Sequence, residues 1–252
     1  MKSYRIPQLA SGYIEYDMIK QYTELPTFPN ARVHLLYIFL NKGSRISFDQ
    51  AELYALVTSL IQIGLDTHET IDTEQGNQAE NLMRSRQLKV LAGDYYSSIF
   101  YQLLSDVGQI EVITLLSKAI CDLNMMKMNL YISMQSSMLS SEQYLVQKVQ
   151  LSMQLFLSFT PLLEDSVRGL WNFFLHEISV CETIVQELSH NQGISPLHST
   201  EYMMNSLRES VDHVQHKLHN LEGDMRFFEE IGQVIEPFVR LLNSSGTVLR
   251  EG

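Results

Sequence analysis

The stretch SFDQAELYALVTSLIQIGLDTHETID, residues 47–72, decides how this chain folds. Its apolar positions Leu53, Leu56, Val57, Leu60, Ile61 and Gly64 recur in steps of three or four, which predicts a helix with one buried face. Ser47 followed by Gln50 is a capping-box pair and sets the first helical residue near Phe48. The predicted helix therefore runs over 48–72.

The same logic extends outward. After the polar run Thr73–Glu80, apolar spacing predicts a helix from about Asn81 to Ser105, punctuated by Gly108, and another from about Gln109 to Gln135. Further helices are expected at about 142–160, 165–190, 200–221 and 225–243, separated by Pro161, Ser195-Pro196 and Gly223. Two shorter ones, at about 14–24 and 31–41, flank Pro26 and Pro29. No proline falls within residues 30–160, and no segment alternates apolar and polar residues for long. Asn-Gly and Asp-Gly hairpin pairs are absent. The expectation is all-α: a single-domain helical bundle over residues 1–252.

Composition excludes several functional classes. Hydrophobic residues make up 45% and charged residues only 19%, the opposite of a disordered chain. Eighteen basic residues against twenty-nine acidic ones give −11 at pH 7, so the chain has no general attraction for nucleic acid or anionic lipid. The first residues, Met1-Lys2-Ser3-Tyr4-Arg5, lack the apolar core of a signal peptide. No stretch is apolar enough to predict a transmembrane segment. The two cysteines, Cys121 and Cys181, sit in apolar stretches and read as buried thiols. A soluble cytoplasmic protein is expected.

Three groups of residues carry potential chemistry. His68, Glu69 and Asp72 end the 48–72 helix at spacings that put their side chains on one face. Paired carboxylates there would suit Mg²⁺, but an imidazole is a poor ligand for it, and HExxH is missed by one residue. A polar helix end facing solvent explains the same residues. Next comes LAGDYYSSIFY, residues 91–101, where Gly93 and Asp94 precede Tyr95, Tyr96, Phe100 and Tyr101. Glycine inside a helix costs about 1 kcal/mol and signals close approach of another backbone. Four aromatics so near together cannot all face one core, so part of this helix is expected to meet another element or chain. Third, Met125, Met126, Met128, Met134 and Met138 form a Met-rich stretch, and the 109–135 helix is apolar on both faces. His213, His216 and His219 near the C-terminus fit a solvated helix face better than a metal site. No Gly-x-Ser-x-Gly or phosphate-binding glycine loop occurs.

The order of apolar helix, HETID, polar loop and KVLAGDYYSSIFYQLL resembles the trans-prenyltransferase (isoprenoid synthase) fold of polyprenyl diphosphate synthases. The resemblance covers about Leu53 to Leu104, and LAGDYYSS is similar to the small, non-catalytic component I subunits of two-component heptaprenyl diphosphate synthases. Catalytic members carry DDxxD where this chain has His68–Asp72, followed by Arg-Arg-Gly. Here Thr73–Met83 holds no Arg-Arg-Gly, and no second DDxxD occurs; Glu164-Asp165 and Glu229-Glu230 are the nearest acidic pairs.

The resemblance implies an accessory subunit, inactive alone, that forms a heterodimer with a catalytic component II. That partner would hold the Mg²⁺ and condense isopentenyl diphosphate onto farnesyl diphosphate, making the C35 side chain of menaquinone. It also implies an interface on the helices at about 84–104 and 109–135, with Gly93, Asp94, Tyr95, Tyr96, Phe100, Tyr101, Met125 and Met128 as contact or prenyl-wall residues. The four aromatics are the expected anchors. Two alternatives stay open: a stand-alone metal-dependent terpenoid or diphosphate enzyme using His68, Glu69 and Asp72, and a homodimeric prenyl-lipid-binding protein.

Overall fold

The computed structural model describes residues 3–15, 17, 19, 25–70, 80–135, 139–190, 200–221 and 225–248. Nine α-helices are found among them: α1 (Ile6–Ile14), α2 (Asn30–Lys42), α3 (Phe48–Glu69), α4 (Glu80–Asp106), α5 (Ile110–Gln135), α6 (Ser141–Leu157), α7 (Asp165–His190), α8 (Thr200–His219) and α9 (Met225–Val248). A single 3₁₀ turn lies at Thr160–Leu162, and the described residues contain no strand beyond an isolated Ser44–Leu163 bridge. The all-α expectation holds. None of the described helices is long and apolar enough to cross a membrane.

Helix ends follow the local chemistry. Ser47 accepts from the Gln50 amide at 3.2 Å while the Gln50 side chain accepts from the Ser47 amide at 2.9 Å, so α3 starts at Phe48 as the capping box dictates. Ser140 and Gln143 repeat the motif and start α6 at Ser141. α4 stops at a Schellman turn: Gly108 has φ +71°, its amide reaches the Ser105 carbonyl, and the Gln109 amide reaches the Leu104 carbonyl. α1 adds a helix that the apolar spacing did not predict, and α2 is the one expected at about 31–41. A helix forms at Ile6–Ile14, with Pro7 in its first turn where a missing N–H costs nothing, whereas most of the expected 14–24 helix lies outside the described residues.

The chain packs as two compact units, each discontinuous in sequence. The first takes residues 1–37 and 46–117. Its central helix is α3, which packs chiefly on α4 and also meets α1. Here the structure departs from a one-faced helix: from Tyr54 to Leu65 every residue is buried, Thr58, Ser59 and Gln62 included. The hydroxyls of Thr58, Ser59 and Thr67 donate to the carbonyls of Tyr54, Leu56 and Ile63, so these small polar residues are buried with their donors satisfied. Polar side chains that bond back to their own helix read as a solvent face in the sequence and are not one. Arg5 grips Glu52 through two bonds of 2.8 and 2.9 Å, tying the start of α1 to α3. Tyr54 donates to Gln109 at 2.6 Å, tying α3 to the α4–α5 turn.

The second unit takes residues 38–45 and 118–252. α7 lies against α6 and α8, and α8 against α9. Trp171 is fully buried, its indole N–H donating to Thr160 at 3.1 Å. Phe39 sits among Trp171, Phe174 and Phe227, with ring centroids 5.2, 6.4 and 5.1 Å away. Gly43 is required beside it, because a Cβ there would meet Val167 at 2.8 Å.

Candidate functional site

The candidate residues fall on the α3–α4 pair and along α5. α3 and α4 approach backbone to backbone at two glycines. A Cβ on Gly64 would lie 3.0 Å from the Gly93 carbonyl oxygen and 3.3 Å from the Ser97 amide. A Cβ on Gly93 would lie 2.6 Å from the imidazole of His68. The ring therefore occupies the space that Gly93 leaves open, and its Nε2 is 3.4 Å from Asp94 Oδ1. Ser97 donates to the Gly93 carbonyl, and Lys89 reaches across to the Thr70 carbonyl at the end of α3, 2.8 Å away.

This geometry gives His68, Gly93 and Asp94 one common explanation. Glycine at 93 admits the ring, and aspartate at 94 meets its nitrogen. Glu69, the next residue, is exposed and about 100° away around the helix. α3 ends at Glu69, and Asp72 lies outside the described residues. Among the described residues no three His, Cys, Asp or Glu side chains are grouped as a metal site. The described part of the motif does not fit Mg²⁺: its first position is an imidazole spent on helix packing, and its second points elsewhere.

The four aromatics of α4 divide into two pairs. Tyr96 and Phe100, one turn apart, are 0% and 1% exposed. Tyr96 packs with Ile19, Ile63 and Ala92, and its hydroxyl donates to the Ile14 carbonyl at 3.1 Å. Burial, with a smaller effect of Tyr95, pushes its pKa up to about 12. A side chain without accessible surface touches no partner, so the anchor assignment is corrected for Tyr96 and Phe100: both belong to this chain's own interior. Tyr95 and Tyr101 are 39% and 46% exposed. Tyr101 shares a 3.1 Å hydrogen bond with Ser117.

α5 is apolar on opposite faces. Val112, Leu116, Ala119, Leu123 and Leu130 are buried, while Ile110, Met125, Met128 and Ile132 are each about 60% exposed. The exposed set recurs in steps that keep it on one side, and Cys121 falls in the same row. Cys121 is thus exposed, contrary to the expectation of two buried thiols. Its apolar neighbours are those of an outer face. Cys181 is buried, and burial raises its thiol pKa well above the ordinary range. Met126 is partly buried, Met134 is exposed, and Met138 lies outside the described residues.

One cluster has no signature in the sequence. His213, His216 and His219 are all exposed, as the solvated-face expectation has it; His213 also directs Nδ1 to Glu177 of α7 at 3.5 Å, while His216 pairs with Asn220 next to the end of its own helix. His176 Nδ1 is 3.3 Å from the same Glu177 carboxylate. Nothing in the local pattern links residue 177 to 213; only the α7–α8 packing does.

Comparison with known proteins completes the assignment. The family described as "Heptaprenyl diphosphate synthase (HEPPP synthase) subunit 1" matches residues 16–229. The chain is also similar to "Heptaprenyl diphosphate synthase component 1" of Geobacillus stearothermophilus, at 37% identity over 89 residues. That alignment covers 35% of this chain and 38% of the relative. Matched from just after α1 into α9, the chain belongs to the heptaprenyl diphosphate synthase subunit 1 family.

Proposed function

We propose that this chain is the non-catalytic, cytoplasmic subunit of a heterodimeric heptaprenyl diphosphate synthase. Its catalytic partner, the second component, condenses isopentenyl diphosphate onto farnesyl diphosphate and produces the C35 chain used for menaquinone. The observation that carries this reading is His68. The first position of an aspartate-rich motif holds an imidazole packed against Gly93, where a catalytic subunit needs a carboxylate for Mg²⁺. The partner supplies the Mg²⁺, the aspartates and the cationic side chains that bind diphosphate. This chain supplies apolar surface: Tyr95 and Tyr101 on α4, and Met125, Met128 and Ile132 on α5. A helix apolar on two opposite sides buries one in its own core and offers the other to a second body.

Reconstitution tests the reading. Labelled isopentenyl diphosphate, farnesyl diphosphate and Mg²⁺ are given to this chain alone, to the catalytic component alone, and to the mixture. Long-chain product from the mixture only is expected. Product from this chain alone refutes the assignment, and so does a catalytic component that is fully active without it. In the absence of the partner the same α5 face favours self-association, which light scattering of the isolated chain measures.

A further inference from the structure

A groove of about 290 Å³ opens between α6, α7 and α8 in the second unit. Its aliphatic wall comes from Leu145, Val146, Val149 and Val180. Its polar lining comes from Gln150, His176, Glu177, Ser206, Glu209, Ser210 and His213. Two carboxylates line it, and no lysine or arginine does. None of these residues belongs to the α3–α5 region described above, so a ligand held here is independent of the accessory-subunit role.

Glu177 is the centre of the groove's charge. It is 8% exposed, yet its carboxyl pKa is lowered. Burial pushes it up, but hydrogen bonds from His176 and Ser210 and the nearby His176 and His213 rings more than offset that. The carboxylate is thus ionised at neutral pH, and the groups that hold it are two imidazoles and a hydroxyl. Once the His176 ring gives up its proton, the buried negative charge loses a counter-charge, which is an unfavourable arrangement. A cation entering the groove supplies one.

We propose that this groove binds a small primary ammonium compound with an aliphatic body. The ammonium group has three N–H donors. Glu177, Glu209 and the side-chain oxygens of Gln150, Ser206 and Ser210 are the acceptors that surround it. The aliphatic body lies along Val146, Val149 and Val180. An anion is disfavoured by the two carboxylates, and a neutral alcohol leaves the Glu177 charge uncompensated.

Binding is linked to pH through the groups that face the carboxylate. These are His176 on α7, and His213 and Glu209 on α8; α6 contributes Gln150, which does not titrate. The Glu177 hydrogen bond, against opposition from burial and with added help from the carboxylate's charge, raises the His176 pKa. A protonated His176 ring neutralises Glu177 itself and competes with the ligand, so ammonium binding strengthens as pH rises from about 5.5 to about 8.

The test uses the full chain and three probes of matched length, n-hexylammonium, 1-hexanol and hexanoate, by titration calorimetry at both pH values. Hexylammonium is expected to bind at one site per chain, more tightly at the higher pH, with no measurable binding of the other two. Glu177→Gln, near-isosteric, is expected to weaken it at least about tenfold through loss of a charge-assisted bond. Ser206→Lys, a partly exposed rim change unlike the buried Glu177, places a resident ammonium in the groove and is expected to abolish binding while thermal unfolding stays at or above that of the native chain. Hexanol binding as well as hexylammonium overturns the proposal, as does affinity that falls with rising pH. Binding unaffected by Ser206→Lys, or absent for every probe, overturns it equally.

Discussion

Replacing Gly93 by alanine in two backgrounds, the native chain and His68→Ala, isolates the α3–α4 contact. In the native background the new Cβ meets three ring atoms of His68 at 2.6, 2.6 and 2.8 Å. Non-bonded carbons rest about 3.5–4.0 Å apart, so the ring has to leave. It gives up its packing and its approach to Asp94, and overfilling of this kind costs about 1–3 kcal/mol. Against that, alanine in a helix interior is favoured over glycine by about 1 kcal/mol. The net expectation is a loss of up to about 2 kcal/mol. In the His68→Ala background the ring is gone, the clash vanishes, and the same substitution stabilises by about 1 kcal/mol. The signature is a change of sign, a coupling of about 1–3 kcal/mol between positions 68 and 93. Urea unfolding followed by far-UV circular dichroism reads it as opposite shifts of the midpoint at constant slope. Equal shifts in both backgrounds would mean that the ring does not occupy the space at Gly93, and the account of the motif would fall. Gly64→Ala is the contrasting control. Its Cβ faces the Gly93 carbonyl, which cannot rotate aside, so it destabilises in both backgrounds.

Met128→Asp on the outer face of α5 is expected to leave the isolated chain's stability within about 0.5 kcal/mol, because the side chain is 64% exposed. Size-exclusion chromatography with the catalytic component should nevertheless show the complex lost. His34 stacks on Tyr4 at 3.8 Å, and burial lowers its pKa to about 4. The unfolded chain takes up that proton near pH ~6.5 and the folded chain does not, so stability present above that pH declines as pH falls towards about 4. The contribution is at most about 3 kcal/mol. Urea midpoints across this range should slope less in His34→Phe, which keeps a ring against Tyr4. Tyr96→Phe removes the bond to the Ile14 carbonyl and should cost about 0.5–1.5 kcal/mol in thermal or urea unfolding.

Helix positions from Phe48 onward were legible because their signals are local. A capping box, a glycine stop and apolar spacing each act within a few residues, as at Ser47, Gly108 and Leu53–Gly64. The second capping box, Ser140 with Gln143, was equally readable and marks the start of α6 more closely than apolar spacing does. What spacing could not supply is the direction of each face. Tyr96 and Phe100, four residues apart, necessarily share a face. That this face, rather than that of Tyr101, meets α3 depends on how two helices cross. The crossing itself left a trace, one glycine in each of two neighbouring apolar helices, but pairing Gly64 with Gly93 takes three dimensions. So does bringing Glu177 to His213. Residue types revealed that residues 68–72 depart from DDxxD; only packing revealed what the His68 ring does.

Phe39 has a consequence for gene dissection. It is contributed by residues 38–45, yet it fills the space among Trp171, Phe174 and Phe227, far along the chain. A fragment starting at Lys118 would be translated without it and would expose aromatic rings to water. Shortening the gene from its 5′ end cannot yield the second unit intact; a viable minimal version has to retain the 38–45 octapeptide, either in place or grafted through a new connection.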